Sequence, residues 1–352
     1  MKKSKVLSVL LAGAMMFNLV GCSAPAIEPS QSANEGADSP ATEEQVYTMQ
    51  LAYSAAESSP AGIAAAKTEE LLESKSGGRI QVDIYPNAQL GGDRELIESS
   101  QAGNLSMVTL TTAPMVNFIP ELAVFDMPAV LTDVEVAQKV LKSPFRDKVD
   151  TKYEDAGFKL LSIAPVGFRE MSSNVPVQNI SDFDGVKIRT MENKYHLAFW
   201  KALGANPSPL AFSELYIALQ QGLVDGQENP YATVVSAKLY EQQKYIVNTN
   251  HIMFLNTTVM NKDLYDSLPE DLQVVVDDVF EEVAQYSFEV GMSEEEKALE
   301  VLKSEGLEII DLSDADFEEI QELAKPVYDM IREDIGADLV DTLLAEIETA
   351  KQ

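Results

Sequence analysis

Two arginines twenty positions apart, Arg169 and Arg189, and a later run Gln227-Glu228-Asn229-Pro230 are the residues of this chain best suited to chemistry. The chemistry is anion recognition. A planar guanidinium meets a carboxylate through two parallel hydrogen bonds, which the ammonium of lysine cannot do. Such cations are scarce here, with 26 Lys plus Arg against 57 Asp plus Glu and a formal net charge of −31. In Gly185-Val186-Lys187-Ile188-Arg189-Thr190, Val186 and Ile188 point to one face of a strand and leave Lys187 and Arg189 to the other. Arg189 then lies near the carboxyl end of that strand, where open α/β sheets bind their ligands. Read alone, each arginine is better taken as a surface cation or a salt-bridge partner.

Catalytic constellations are missing. His196 and His251 are too far apart for a His-x-x-x-His zinc pair, and the one cysteine, Cys22, lies outside the body. Both histidines therefore read as structural or surface residues. There is no Gly-x-Ser-x-Gly elbow, Walker loop or Gly-x-Gly-x-x-Gly fingerprint. Paired carboxylates of a glycosidase gain no support from spacing. The expectation is a binding protein with no metal, no cofactor and no enzymatic activity. Trp200, the sole tryptophan, reads as a packing residue.

The first residues combine Lys2, Lys3 and Lys5 with an apolar run from Val6 to Val20, the pattern of an export signal and too short for a comfortable membrane span. Leu19-Val20-Gly21-Cys22 resembles a bacterial lipobox, which implies a signal peptide over 1–21 and diacylation of Cys22. The mature chain would then be tethered to the outer face of a membrane. Residues 22–45 are poor in apolar side chains and read as a disordered tether. A body without cysteine has no disulfide, so a large core must hold it together. Its acidity makes nucleic acid and anionic lipid surfaces unlikely partners.

Roughly 300 residues remain, enough for about two domains. Strand patterns at 46–53, 79–85 and 105–110 alternate with helical patterns at 61–74 and from 93 through 100, where Asp93 is placed to cap. A second stretch repeats the rhythm: strands at 159–165, 169–173, 186–190 and 224–227, helices at 194–203 and 212–221. Strands near 247–260 carry the chain back. Leu272, Val276, Val279, Val283, Tyr286 and Val290 then form one apolar face behind Pro269. Two readings remain for this segment. It is one helix reaching Lys303, roughly 50 Å long at 1.5 Å per residue, or two helices broken at Gly291 and Ser293. A strand at 307–312 and two acidic amphipathic helices within 316–349 complete the pattern.

Several fragments occur in a telling order. They are Leu90-Gly91-Gly92-Asp93-Arg94-Glu95-Leu96, Gly167-Phe168-Arg169, Asp184-Gly185-Val186-Lys187-Ile188-Arg189, Ala211-Phe212-Ser213-Glu214-Leu215-Tyr216, and Val224-Asp225-Gly226-Gln227-Glu228-Asn229-Pro230. Together they resemble the solute-binding subunits of tripartite ATP-independent periplasmic (TRAP) transporters, the DctP family, over nearly all of 46–352. The resemblance implies an α/β fold, a two-lobed periplasmic-binding-protein-like clamp of type II character with a long helix bridging both lobes. Lobe I would comprise 46–166 plus 255–292, and lobe II 167–254 plus 293–352. It implies Arg189 as the principal carboxylate anchor, Arg169 as second cation, Asn229 as hydrogen-bond partner and Phe212 as apolar wall. Glu228 would contact the ligand or orient an arginine. Ser54, Asp93, Thr111 and Thr112 would read the far end of the ligand, or else act as caps and turn residues.

Two departures are expected to matter. Asp126-Met127-Pro128-Ala129-Val130-Leu131 lacks the aromatic pair of many relatives, so a looser loop is expected, and Thr111 replaces an acid of sialic-acid binders, which counts against sialate. The implied function is an extracytoplasmic, lipid-anchored, monomeric receptor. It would capture a C4-dicarboxylate or a sugar acid such as a hexuronate for a membrane permease driven by an ion gradient. A receptor of an ATP-driven importer or sensor complex, and more remotely a surface hydrolase, are the alternatives.

Overall fold

The computed structural model describes residues 45–352. The expectations for the signal peptide, Cys22 and the tether up to residue 44 lie outside the described residues. Nine strands are found among the described residues: β1 (Tyr47–Ala52), β2 (Ile80–Tyr85), β3 (Met107–Thr111), β4 (Phe158–Ser173), β5 (Lys187–Thr190), β6 (Asn206–Pro209), β7 (Gly226–Asn229), β8 (Tyr245–Asn261) and β9 (Glu308–Asp311). They form one sheet in the order β2-β1-β3-β8-β4-β7-β5-β6, with β9 added on β8.

Each half of the sheet is a parallel unit. β1 runs parallel to β2 and β3, with α1 (Pro60–Lys75) and α2 (Asp93–Gln101) as the crossovers. β5 runs parallel to β6 and β7, with α6 (Lys194–Ala202) and α7 (Phe212–Gln220) between them. The short α3 (Thr112–Met115) follows β3, and α4 (Val134–Leu141) and α5 (Phe145–Asp155) precede β4. α8 (Tyr231–Ser236) follows β7 and α9 (Lys262–Ser267) follows β8. Then come α10 (Glu270–Ser304), α11 (Asp314–Ile335) and α12 (Ala337–Ala350). β6 reads Asn-Pro-Ser-Pro and carries no strand signature; proline is tolerated because β6 is the last strand of the sheet and needs fewer ladder donors.

β4 and β8 tie the halves together. They pair antiparallel along almost their whole length, and β4 is buried nearly throughout, with a largely apolar run over 160–168 and the buried polar residues Arg169 and Glu170 beyond it. The two strands expected at 159–165 and 169–173 are therefore one. Gly167 looks like a break, but the register shifts between Pro165 and Phe168 and the ladder resumes beyond it. Such a bulge bends a strand without ending it.

α10 resolves the two readings of the long segment in favour of a single helix of 35 residues, roughly 50 Å long. It packs on α1 in one half, on β4 at the centre and on α8 in the other half. The fold is an α/β two-lobed clamp with this helix spanning both parts. Gly291 does not break α10; it lets the helix approach β4. A Cβ built there would lie 2.6 Å from Val166 Cβ and 2.7 Å from Val166 Cα. Gly167 serves the same crossing from the strand side, with φ +130° and Glu295 Cγ 2.9 Å from where its Cβ would be. α11 packs on α6, and α12 packs on α4 and α5, so the C-terminal helices touch both halves.

Two local expectations are corrected. The cap of α2 is Gly92, not Asp93; Asp93 is the first helical residue and accepts a hydrogen bond from Ser54 Oγ at 2.5 Å. The 126–131 loop is not loose. Asp126 and Met127 are buried, Ala129 N–H donates to His251 O at 2.7 Å, and the Tyr328 hydroxyl donates to Pro128 O. Backbone and carboxylate partners anchor it.

Gly291→Ala is expected to destabilise the protein by about 1–3 kcal/mol, because the added methyl must displace β4 backbone rather than a flexible side chain. Urea unfolding monitored by circular dichroism checks this; an unchanged midpoint would show that the helix and strand can separate freely.

A cleft with two unpartnered guanidinium nitrogens

Arg169 comes from β4 just past the bulge, and Arg189 from near the carboxyl end of β5. Both are 1% exposed, a rare placement for arginine. Glu228 of β7 holds Arg169: Arg169 Nε donates to Glu228 Oε2, and Nη2 to Glu228 Oε1 at 3.0 Å and to Glu228 O at 2.5 Å. The same Nη2 reaches Asn229 Oδ1 at 3.1 Å, and Asn229 Nδ2 donates to Gln227 Oε1 at 2.5 Å. Arg189 donates from Nε at 2.9 Å and Nη2 at 2.6 Å, both to Leu210 O, and has no carboxylate in hydrogen-bond contact. On each guanidinium, Nη1 is buried and makes no hydrogen bond. Both guanidiniums line the one cleft, so these two donors are available to an acceptor bound there.

Behind Arg169 the charges continue into the core. His251 Nε2 donates to Glu228 Oε2 at 3.2 Å, and His196 Nδ1 lies 3.9 Å from Glu228 Oε1. His196 Nε2 donates to Asp126 Oδ1 at 3.0 Å, while Asn193 Nδ2 donates to Asp126 Oδ2 at 2.7 Å. Burial opposes the charge of His196, but Asp126 and Glu228 outweigh it and push its pKa up to about 9. Burial lowers His251 despite Glu228, so its ring is neutral and Nδ1 accepts from Thr249 Oγ1 at 2.8 Å. Its ring stacks on Phe199 at 5.4 Å and meets Trp200 edge-on at 5.1 Å. For Glu228 burial favours the neutral acid, yet Arg169 and the two histidines hold it well below the usual carboxylate range. Burial lowers Arg189 to about 10, with Glu228 partly opposing.

The cleft encloses a cavity of about 70 Å³. Arg169, Arg189, Asn229 and Phe212 line it from one half of the sheet, and Ser54, Asp93 and Thr111 from the other. Glu228 and Thr112 do not line it. Glu228 is wholly buried on Arg169, and Thr112 is buried as the first residue of α3. Residues that carried no signal also face the cleft, among them Ser59, Thr233, Phe254, Asn256 and Glu295. Arg169 lies over the Phe254 ring, 5.3 Å from its centroid. Glu295, from α10, accepts from Tyr231 N at 3.1 Å and Ala232 N at 2.8 Å, and burial pushes its pKa up to about 7 despite these bonds. Nothing in its acidic surroundings, Glu294-Glu295-Glu296, distinguishes it in the sequence. At the mouth, Arg94 of α2 reaches Glu192 at 3.0 Å.

A continuous sheet, a helix spanning both halves and a cleft with guanidiniums at one end define a solute-binding clamp. The chain belongs to the bacterial extracellular solute-binding proteins, family 7 (DctP), whose model matches residues 51–334. It is a solute-binding protein of the TRAP type. A solute-binding protein of Verminephrobacter eiseniae is 37% identical over 265 residues, 75% of this chain and 79% of its own length. The C4-dicarboxylate-binding periplasmic protein DctP of Rhodobacter capsulatus is 34% identical over 299 residues, 84% of this chain and 90% of its own. The sugar acid binding protein DctPAm of Advenella mimigardefordensis, solved in complex with galactonate, superposes with a TM-score of 0.84 at 31% identity, covering 87% of this chain and 99% of that one. These are transport binding proteins, so the chain is not an enzyme and the hydrolase alternative falls away. Among the described residues no group of three or more His, Cys, Asp or Glu is arranged to hold a metal, and no helix is long and apolar enough to cross a membrane.

Arg169→Ala is expected to cost about 3–5 kcal/mol in urea unfolding, because it strands Glu228 in the core. A loss below about 1 kcal/mol would show that the pair does not hold β4 to β7. Glu170 gives a pH test. It accepts from Asn250 N at 2.8 Å, and burial pushes it from 4.5 up to about 8. The folded state thus holds its proton over a range where the unfolded chain has lost it. Stability from this group is complete below about 4.5 and disappears as pH rises through about 8. Thermal midpoints should fall from pH 6 to pH 9, and Glu170→Gln should flatten the fall; an identical profile in the variant would refute the assignment.

Proposed function

We propose that this protein captures a small organic acid outside the cell membrane and delivers it to the membrane permease of a TRAP system. The observation that carries the reading is the pair of unpartnered Nη1 groups of Arg169 and Arg189 in one cleft beside Asn229. Two guanidiniums and an amide offer donors for both oxygens of one carboxylate. Phe212 supplies an apolar wall, and Ser54, Asp93 and Thr111 contact the distal part of the ligand. The galactonate of the Advenella relative and the C4-dicarboxylate of the Rhodobacter relative support the ligand class.

Closure completes the site, because its residues come from both halves of the sheet and the bound acid gains contacts to all of them only when the halves approach. The moving bodies in this reading are 46–166 with 255–292 and 167–254 with 293–352. Delivery draws on an ion gradient used by the permease. The protein acts as a monomer, held at the membrane by lipid on Cys22 after removal of 1–21.

A thermal-shift screen of aldonates, hexuronates, dicarboxylates and keto acids, followed by titration calorimetry, identifies the ligand. Arg189→Ala is then expected to weaken binding of the hit by about 2–5 kcal/mol, at least thirtyfold in Kd, with near-native circular dichroism. Retained affinity in that variant would sink the carboxylate clamp.

A further inference from the structure

The charges around the cleft limit what the acid can carry at its other end. Arg169 is matched by Glu228, and His196 by Asp126, each as a buried pair. Arg189 has only a backbone carbonyl as hydrogen-bond partner, which leaves it the one guanidinium at the cleft without a paired carboxylate among the described residues. One ligand carboxylate balances it. Two protein carboxylates also face the cleft, Asp93 and Glu295. Neither is paired with a cation by direct contact: Asp93 accepts from Ser54 Oγ, and Glu295 accepts from two backbone N–H groups. Among the described residues no lysine lines the cleft. The side chains of Thr111, Thr233 and Asn256 also line it, and make no hydrogen bond to other described residues.

From this arrangement, and resting on the reading of the cleft as an organic-acid site, we infer that the ligand is a polyhydroxylated monocarboxylate, an aldonate or uronate, and that Asp93 and Glu295 exclude dicarboxylates. Hydroxyl groups donate to a carboxylate and exchange hydrogen bonds with threonine and asparagine, so a polyol chain satisfies all five side chains. Above the raised pKa of Glu295, a second ligand carboxylate would meet two acceptor-only groups of like charge lining the same cleft. Such a like-charge approach is a device for rejecting the wrong solute as much as for holding the right one. Asp93 stands on α2 and Glu295 on α10, so two separate elements bring a carboxylate to the cleft.

The test is calorimetry at pH 8, above the raised pKa of Glu295 of about 7, on pairs matched in carbon number: erythronate against tartrate, and galactonate or galacturonate against galactarate, with succinate and homoserine added. At least one monoacid is expected to bind tenfold or more tightly than its diacid partner. Asp93→Asn and Glu295→Gln should each narrow that ratio, with the diacid gaining affinity. Equal or tighter binding of a diacid, tightest binding of the zwitterion, or a ratio unmoved in both variants would overturn the inference. If a diacid wins but its binding is lost in Arg189→Ala, the carboxylate clamp stands and only the selectivity argument fails. If no acid in the series binds, the reading of the cleft fails with it.

Discussion

The buried pairing of Arg169 with Glu228 is the constraint around which this protein is arranged. It joins β4, the strand shared by both halves, to β7 of the second half, and it places two opposite charges where water cannot reach them. Removing ions from water is expensive, and their attraction repays it only when the remaining polar atoms are also satisfied. The neighbours supply much of this: Asn229 and the Glu228 carbonyl accept from the arginine, His251 donates to the carboxylate, and His196, 3.9 Å from it, is itself held by Asp126 with Asn193. A ligand site results from the one direction left open. Among the described residues nothing accepts from Arg169 Nη1, and the same holds for Arg189 Nη1 on β5.

The same network links the site to parts of the fold that never touch a ligand. Asp126 comes from the loop before α4, and its hold on His196 binds that loop to α6; the backbone of Ala129 then grips His251 in β8. Phe199, Trp200 and the neutral His251 ring pack together around this junction. Polar groups placed so deep rigidify what they join, since any movement exposes an unsatisfied charge. At the crossing of α10 over β4, Gly167 and Gly291 allow close backbone contact where the ladder shifts register.

Much of the fold was legible because periodicity survives translation into structure. The parallel units around β1 to β3 and β5 to β7 and the split of the C-terminal helices follow from where apolar residues recur, whereas periodicity leaves open whether α10 breaks at Gly291. The misreadings have local causes. Gly167 resembles a strand end because glycine usually punctuates, yet here it makes a bulge inside a continuous ladder. Asp93 has the chemistry of a helix cap but sits one residue inside, because Gly92 takes the cap position and Ser54 claims the carboxylate. The short β6 and α8 have too few residues to show a period.

The sequence by itself determined the charge, the α/β rhythm and the presence of guanidiniums at strand ends, since these depend on residue type and near neighbours. Only the tertiary structure decided which charges remain unmatched. Glu228 was a ligand candidate from its place beside Asn229, and proved to be the partner that neutralises Arg169 behind the cleft. Glu295 was one acid among many, until α10 carried it over the bulge of β4 and into the cleft opposite Asp93. Matching of charge depends on distance in space between residues far apart in the chain, and no pattern along the sequence encodes that distance.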